Sequence, residues 1–268
     1  STSGGGAAPT NNFLSAVRFS PDGCCVATNS VDAVVRVWDL PPEAGEAAAA
    51  VAEDADSFAP ALRLSESEAV YDLAWWPGMR ADDPGTCCIA TTSRGNPLHL
   101  WDTISGRLRA TYRAYDDMDE ITAAYSVAFS PDGSWLWAGY RQELRRFALG
   151  RPGRDCEVWR THKRGERSGE GQPGILASLA TSPDGSLLAA GSYQRTVGLY
   201  DAATGAAMAV LSGHSGGVTH LKFGADGNYL YSGARRDANI LCWDVRHFSG
   251  AVYRLLRASA GTKQKNAF

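Results

Sequence analysis

Along most of the chain, apolar and polar residues alternate in runs of about four to seven. Such runs are too short for helices and have the period of half-buried strands. Val218-Thr219-His220-Leu221-Lys222-Phe223 is a clear case, followed by a second run at 229–233, a third at 240–243 and a fourth at 252–256. The same fourfold grouping recurs along the chain. First runs fall at 16–20, 70–76, 125–130, 176–181 and 218–223, and second runs at 25–29, 88–92, 135–139, 187–191 and 229–233. Third runs fall at 34–38, 98–101, 144–147, 197–200 and 240–243, and fourth runs at 61–64, 109–113, 157–160, 207–211 and 252–256.

The punctuation is as regular as the runs. Ser20-Pro21-Asp22-Gly23, Ser130-Pro131-Asp132-Gly133, Ser182-Pro183-Asp184-Gly185 and the degraded Ala225-Asp226-Gly227 separate first from second runs. Proline presets φ there and glycine accepts a positive φ, so each is a hairpin turn. Residues 103–106 and 202–205 offer the same chemistry between third and fourth runs. About fifteen residues after each Pro-Asp-Gly an aromatic closes a run: Trp38-Asp39, Phe147, Tyr200-Asp201 and Trp243-Asp244. Repeats of this period ending in Trp-Asp predict an all-β, WD40-type β-propeller of four-stranded blades.

The expected organisation is a flexible lead-in over 1–12, five blades over 13–64, 65–113, 114–160, 161–211 and 212–256, and the start of a sixth over 257–268. WD propellers most often close with seven blades, because closure removes raw sheet edges. Five blades of seven imply an incomplete ring, either a fragment or an open arc completed by a partner. Two insertions break the period: an Ala/Glu-rich acidic loop over 41–60 and a polar link over 161–174.

Composition adds constraints. Formal net charge is −3, but residues 41–60 hold Glu43, Glu46, Glu53, Asp54 and Asp56 with no base, and without them the balance is positive. Cys24-Cys25 and Cys87-Cys88 each enter a strand. Neighbours on a strand face opposite ways, so one thiol of each pair is expected in the core. The six cysteines lack ligand spacing, which argues for reduced thiols and against zinc. No run near 18 apolar residues and no signal peptide is read, so no membrane association is expected.

In a propeller the turns between second and third strands share one face with the links between blades, and that face is the usual binding surface. Here those turns read Ser93-Arg94-Gly95-Asn96, Tyr140-Arg141-Gln142, Tyr193-Gln194-Arg195 and Arg235-Arg236-Asp237. Arg94, Arg141, Arg195, Arg235 and Arg236 suit phosphates, and Tyr140 and Tyr193 suit stacked bases, so this rim is a plausible RNA-binding site, with protein binding as the other reading these residues leave open. The bland alternative is solvated turn arginines, some paired with Asp116, Asp117, Asp119 and Glu120.

Blade 5 carries His214, Ser232, Asp237 and Trp243 at the spacing of a hydrogen-bonded structural chain, and blade 1 keeps Asp32, Thr28 and Trp38. Blades 2, 3 and 4 lack the His and Asp and are expected to be held mainly by apolar packing, with Trp38, Trp101 and Trp243 as core anchors. No GxSxG, HExxH or P-loop occurs, and the histidines are scattered, so no catalytic residue, metal, cofactor or small-molecule substrate is expected. A competing interaction role is raised by Trp243-Asp244-Val245-Arg246, which matches the WDxR pattern of substrate receptors on cullin-type ubiquitin ligases.

Several stretches resemble the telomerase Cajal body protein 1 family. They are Asn96-Pro97-Leu98-His99-Leu100-Trp101-Asp102, Arg113-Ala114-Tyr115 with Asp119-Glu120-Ile121-Thr122-Ala123-Ala124, Arg151-Pro152-Gly153-Arg154-Asp155-Cys156-Glu157-Val158, Gly191-Ser192-Tyr193, and Gly213-His214 through Ser232-Gly233-Ala234-Arg235-Arg236-Asp237-Ala238 to Leu241-Cys242-Trp243-Asp244. Propeller geometry does not require the Arg-Pro-Gly-Arg stretch, which makes it specific. The resemblance runs from Asn12 to about Phe268. It implies a non-enzymatic subunit of small ribonucleoproteins, found in the nucleus and Cajal bodies with some in the cytoplasm. Such a subunit holds small Cajal body RNAs and telomerase RNA beside ribonucleoprotein core proteins and folds with chaperonin help. The chain departs from the family in lacking its N-terminal tail and last blades and in an unusually Ala-rich 41–60 insertion.

Overall fold

A computed structural model describes residues 12–40, 59–162 and 171–257. The lead-in apart from Asn12, most of the 41–60 insertion, the middle of the 161–174 link and the segment after Arg257 lie outside the described residues. Every regular element described is a strand. Blade 1 comprises β1 (Leu14–Phe19), β2 (Cys25–Ser30), β3 (Val34–Asp39) and β4 (Leu62–Ser65). Blade 2 comprises β5 (Val70–Trp75), β6 (Cys88–Ser93), β7 (Leu98–Asp102) and β8 (Leu108–Tyr112). A short hairpin, β9 (Ala114–Tyr115) with β10 (Ile121–Thr122), interrupts the link to blade 3: β11 (Ser126–Phe129), β12 (Trp135–Gly139), β13 (Glu143–Ala148) and β14 (Glu157–Arg160). Blade 4 is β15 (Leu176–Thr181), β16 (Leu187–Ser192), β17 (Thr196–Asp201) and β18 (Ala207–Ser212). Blade 5 is β19 (Val218–Phe223), β20 (Tyr229–Ala234), β21 (Asn239–Asp244) and β22 (Ala251–Leu256). Each blade is an antiparallel sheet ordered as its strands follow in sequence.

The inner strands β1, β5, β11, β15 and β19 lie side by side in chain order. Together they line a central channel of about 810 Å³. Hydrogen bonds cross the seams between blades. Trp75 donates from Nε1 to the Arg18 carbonyl at 3.0 Å, Ser126 Oγ to the Leu176 carbonyl at 2.8 Å, and Thr181 Oγ1 to the Phe129 carbonyl at 3.0 Å.

The Ser-Pro-Asp-Gly turns form the lower rim, and their chemistry explains the repeat. Ser182 donates to Asp184 at 2.5 Å while its hydroxyl accepts the Leu187 N–H at 2.9 Å, and Gly185 sits at φ 73°. The same arrangement recurs at Ser20 and Ser130.

Trp243 is fully buried, against the seam of blades 4 and 5, and Trp101 packs against the seam of blades 1 and 2. Trp101 and Trp38 are only half-buried, which corrects the expectation that all three are core anchors. For Trp38 the reason is position. Its face of blade 1, shared with Val17 and Phe19, is covered by no other described blade, and Phe19 is 67% exposed where the matching Phe223 of blade 5 is 8%. The thiols depart from simple alternation as well. Cys87 and Cys88 are both buried, because the 80–86 loop folds over Cys87, whereas Cys24 is exposed and Cys25 half-buried.

Candidate nucleic-acid interface

The upper face is built on polar locks beneath the blade links. In blade 5, His214 Nδ1 donates to Asp237 at 2.9 Å, and His214 Nε2 meets Ser232 Oγ at 2.7 Å. Ser232 Oγ also accepts the Trp243 indole N–H at 2.7 Å, so Ser232 donates to the imidazole. Burial depresses the His214 pKa more than the Asp237 carboxylate raises it, so the ring is held neutral. Burial opposes ionisation of Asp237 too, but the N–H groups of Ser215 and Asn239, with His214, pull its pKa down to about 2. This chain holds the upper link of blade 5 in place and is structural.

Blades 2 and 4 add polar locks of their own to their apolar packing, which the sequence reading did not find. Four residues before β5, the place His214 takes before β19, stands Glu66. It is buried and accepts hydrogen bonds from Thr91 at 2.5 Å, Ser93 at 3.0 Å, the Trp101 indole at 3.1 Å and His99 Nδ1 at 2.9 Å. Burial pushes its pKa up, and these donors outweigh that and lower it. Four residues before β15 stands Gln172, fully buried, donating to the Ala190 carbonyl at 2.7 Å and accepting from Tyr200 at 2.8 Å. Indexing from the first inner residue of each blade, rather than from the Gly-His pair, is the signal that finds both.

Above these locks, each turn between second and third strands contains one residue with positive φ: Ala33 (61°), Gly95 (70°), Gln142 (63°), Arg195 (67°) and Arg236 (53°). Arg94, Arg141, Arg195 and Arg236 are exposed. Among the described residues, none of these four, nor Arg235, makes an ion pair. The acidic stretch engages other arginines instead: Asp119 with Arg154 at 2.8 Å and Asp117 with Arg160 at 4.0 Å. Asp116 and Asp117 nevertheless line one polar cavity of about 410 Å³ with Arg141, Arg160 and His162, so the basic rim is interrupted at blade 3.

The tyrosines separate. Tyr140 is 3% exposed and lies under the Arg145 guanidinium, 5.0 Å from its ring centre. It offers no face to a base, which corrects the expected stacking role; a large apolar body beside a strand end was absorbed into the core of blade 3. Tyr193 is half-buried, with the Arg235 guanidinium 4.4 Å over its ring and donating to its hydroxyl at 2.7 Å. Burial raises the Tyr193 phenol pKa, so it stays protonated. Gly216 and Gly217 permit this arrangement, because a Cβ at Gly216 would fall 1.8 Å from the Arg235 carbonyl oxygen and one at Gly217 3.1 Å from the Tyr193 ring. Two further tyrosines escaped the sequence reading: Tyr71 and Tyr125, at the starts of the inner strands of blades 2 and 3, stack with ring centres 5.4 Å apart and planes 25° apart.

Arg246, of the WDxR pattern, is on the lower side, bound to its neighbour Asp244 at 2.7 Å. Among the described residues no group of three or more His, Cys, Asp or Glu is placed to hold a metal ion, and no helix is long and apolar enough to cross a membrane.

Comparison with known proteins agrees with the blades. The family "WD domain, G-beta repeat" matches residues 7–39, 167–201 and 205–244. Telomerase Cajal body protein 1 of Mesocricetus auratus is 46% identical over 250 residues, covering 93% of this chain and 45% of that protein. The protein of the same name from Homo sapiens is 45% identical over 246 residues, covering 92% of this chain and 44% of its own length. Guanine nucleotide-binding protein negative regulator 1 of Schizosaccharomyces pombe is 30% identical over 268 residues, covering 96% of this chain and 65% of that protein. The chain thus spans about half the length of the telomerase Cajal body proteins it matches. With WD-type blades throughout the described residues and this similarity along nearly all of its sequence, the chain belongs to the telomerase Cajal body protein 1 family of WD-repeat propellers.

Proposed function

We propose that this propeller is a non-enzymatic RNA-binding module whose upper face holds an unpaired segment of small Cajal body RNAs and of telomerase RNA. In that role it directs them to Cajal bodies as part of a small ribonucleoprotein. The observation that carries the reading is the set of exposed guanidiniums of Arg94, Arg195 and Arg236, free of ion pairs among the described residues, on the face that also presents Tyr193 and Arg235. Guanidiniums left unpaired on a surface suit phosphates, and stacked Tyr–Arg planes suit splayed bases. The names of the relatives fit this reading. Nuclear and Cajal-body residence, with some protein in the cytoplasm, association with ribonucleoprotein core proteins and chaperonin-assisted folding go with it.

The test is binding of a single-stranded oligoribonucleotide to the wild-type chain and to a variant with Arg94, Arg195 and Arg236 changed to Ala. Each lost phosphate contact lowers the slope of log affinity against log salt by about 0.7, so the triple variant loses about 2 from the slope and weakens for all sequences alike. An unchanged slope would remove this face from the account. Stable capture of proteins with only background RNA would favour an interaction platform.

A further inference from the structure

The inner strands share a local irregularity. In β1, β5, β15 and β19 the register with the next strand skips one residue near the start: Ser15, Tyr71, Ala177 and Thr219. In β11 the matching place is Tyr125, just before Ser126, which pairs with Gly139 as Asp72 pairs with Thr92. A bulge turns a side chain out of the ladder and is a common device for re-aiming it. Three of the five blades fill this place with a small side chain, so the fold does not require an aromatic there. Blades 2 and 3, which are neighbours, both use tyrosine, and the two rings stack.

The pair is half-buried rather than sealed. Tyr71 lies within electrostatic reach of Arg94, and Tyr193 within reach of both Tyr71 and Tyr125, so the pair and these rim groups share one neighbourhood. Burial raises the Tyr71 phenol, so it is a neutral hydrogen-bonding group. Beneath it, the buried Asp72 carboxylate accepts the Val127 N–H at 3.2 Å, tying blade 2 to blade 3 and fixing the spacing of the two tyrosines.

We infer that Tyr71 and Tyr125 form a stacking platform at the starts of the inner strands of blades 2 and 3 that takes one unpaired nucleobase of the bound RNA, with Arg94 beside it for the adjoining phosphate. The inference rests on the RNA-binding reading and adds to it a position where a base, rather than the backbone, is held. Base–aromatic stacking tolerates any base, so the platform selects for an unpaired nucleotide rather than for a sequence.

The experiment uses the full chain and a hairpin RNA with an unpaired loop, scanned with a single abasic nucleotide. For the wild type, one loop position should lose affinity about 5- to 150-fold when made abasic. Tyr71→Leu and Tyr125→Leu should weaken the intact RNA by a similar factor, bind the RNA abasic at that position as the wild type does, and leave the salt slope unchanged. Tyr71→Phe should retain most of the affinity, which separates stacking from misfolding. If the wild type binds the hairpin and the Leu variants bind it equally well, the platform is wrong and the arginine face stands. An equal loss by the Leu variants on intact and abasic RNA also overturns the platform. If the wild type binds no RNA, the RNA-binding reading fails and the platform with it.

Discussion

The two rims of the propeller solve one backbone problem with different residues. Each needs a left-handed residue in its tight turns. At the lower rim Gly23, Gly133, Gly185 and Gly227 supply it with φ between 69° and 74°, and Gly106 and Gly205 do the same in two outer turns. At the upper rim the same backbone is carried by Ala33, Gln142, Arg195 and Arg236, with Gly95 the one exception. A side chain in this region costs about 1–2 kcal/mol relative to glycine. The lower rim therefore makes its turns on glycine, whereas the upper rim carries the same backbone on residues with side chains, two of them the exposed Arg195 and Arg236.

The largest effect should come from removing what both rims hang on. Trp243→Ala deletes a fully buried indole and the N–H that completes the Ser232–His214–Asp237 chain, and should cost about 3–5 kcal/mol of unfolding free energy in denaturant titration. A loss below about 1 kcal/mol would mean the framework is not shared.

The next test sets rim against rim. Gly185→Ala has room for its Cβ, which would lie 3.5 Å from Pro131, so only the φ of 73° is strained. It should cost about 1–2 kcal/mol in stability and leave RNA affinity unchanged. Arg195→Gly should do the reverse. Relief of strain, less the added freedom of the unfolded chain, should stabilise the fold by about 0.5–1 kcal/mol. The same change should weaken every RNA alike and flatten the salt slope. If Arg195→Gly stabilised the protein with no loss of RNA binding, Arg195 would have no part in holding RNA.

The smallest effect separates the rims by pH. The folded-state pKa of His214 lies below its unfolded value near 6.5, so its contribution is full above that value and declines as pH falls below it, when the unfolded chain takes up the proton first. The lower turns depend on Asp132 and Asp184, whose pKa values are lowered from 3.8 mainly by hydrogen bonds from Ser130 and Ser182. Their contribution persists until pH drops below about 3.8. Hydrogen exchange, corrected for intrinsic rates, should therefore lose protection at the Ser215 amide between pH 7 and 5 while the Leu187 amide stays protected. Simultaneous loss at both would contradict the distinction.

The lower rim was legible in the sequence because its chemistry is local: proline, aspartate and glycine within one turn declare the backbone. The strands were legible for the same reason, through alternation. The upper rim was legible only in part. Its arginines are visible as turn residues, but the fate of Tyr140 depends on Arg145 and the core of blade 3, and Tyr71 meets Tyr125 across 54 residues of chain. Glu66 and Gln172 were missed because they replace histidine at a position defined by the strand that follows rather than by a dipeptide. Trp38 reads like Trp243 in sequence and differs only in what covers it.

The central claim is that the upper face holds RNA. The most direct measurement is ultraviolet crosslinking of the protein in cells, with sequencing of the attached RNA and mapping of the modified peptides. The account predicts enrichment of small nuclear guide RNAs or telomerase RNA, with modified residues at or beside Tyr71, Tyr125 and Tyr193. Background RNA alone, or crosslinks confined to the lower turns around Pro21, Pro131 and Pro183, would contradict it.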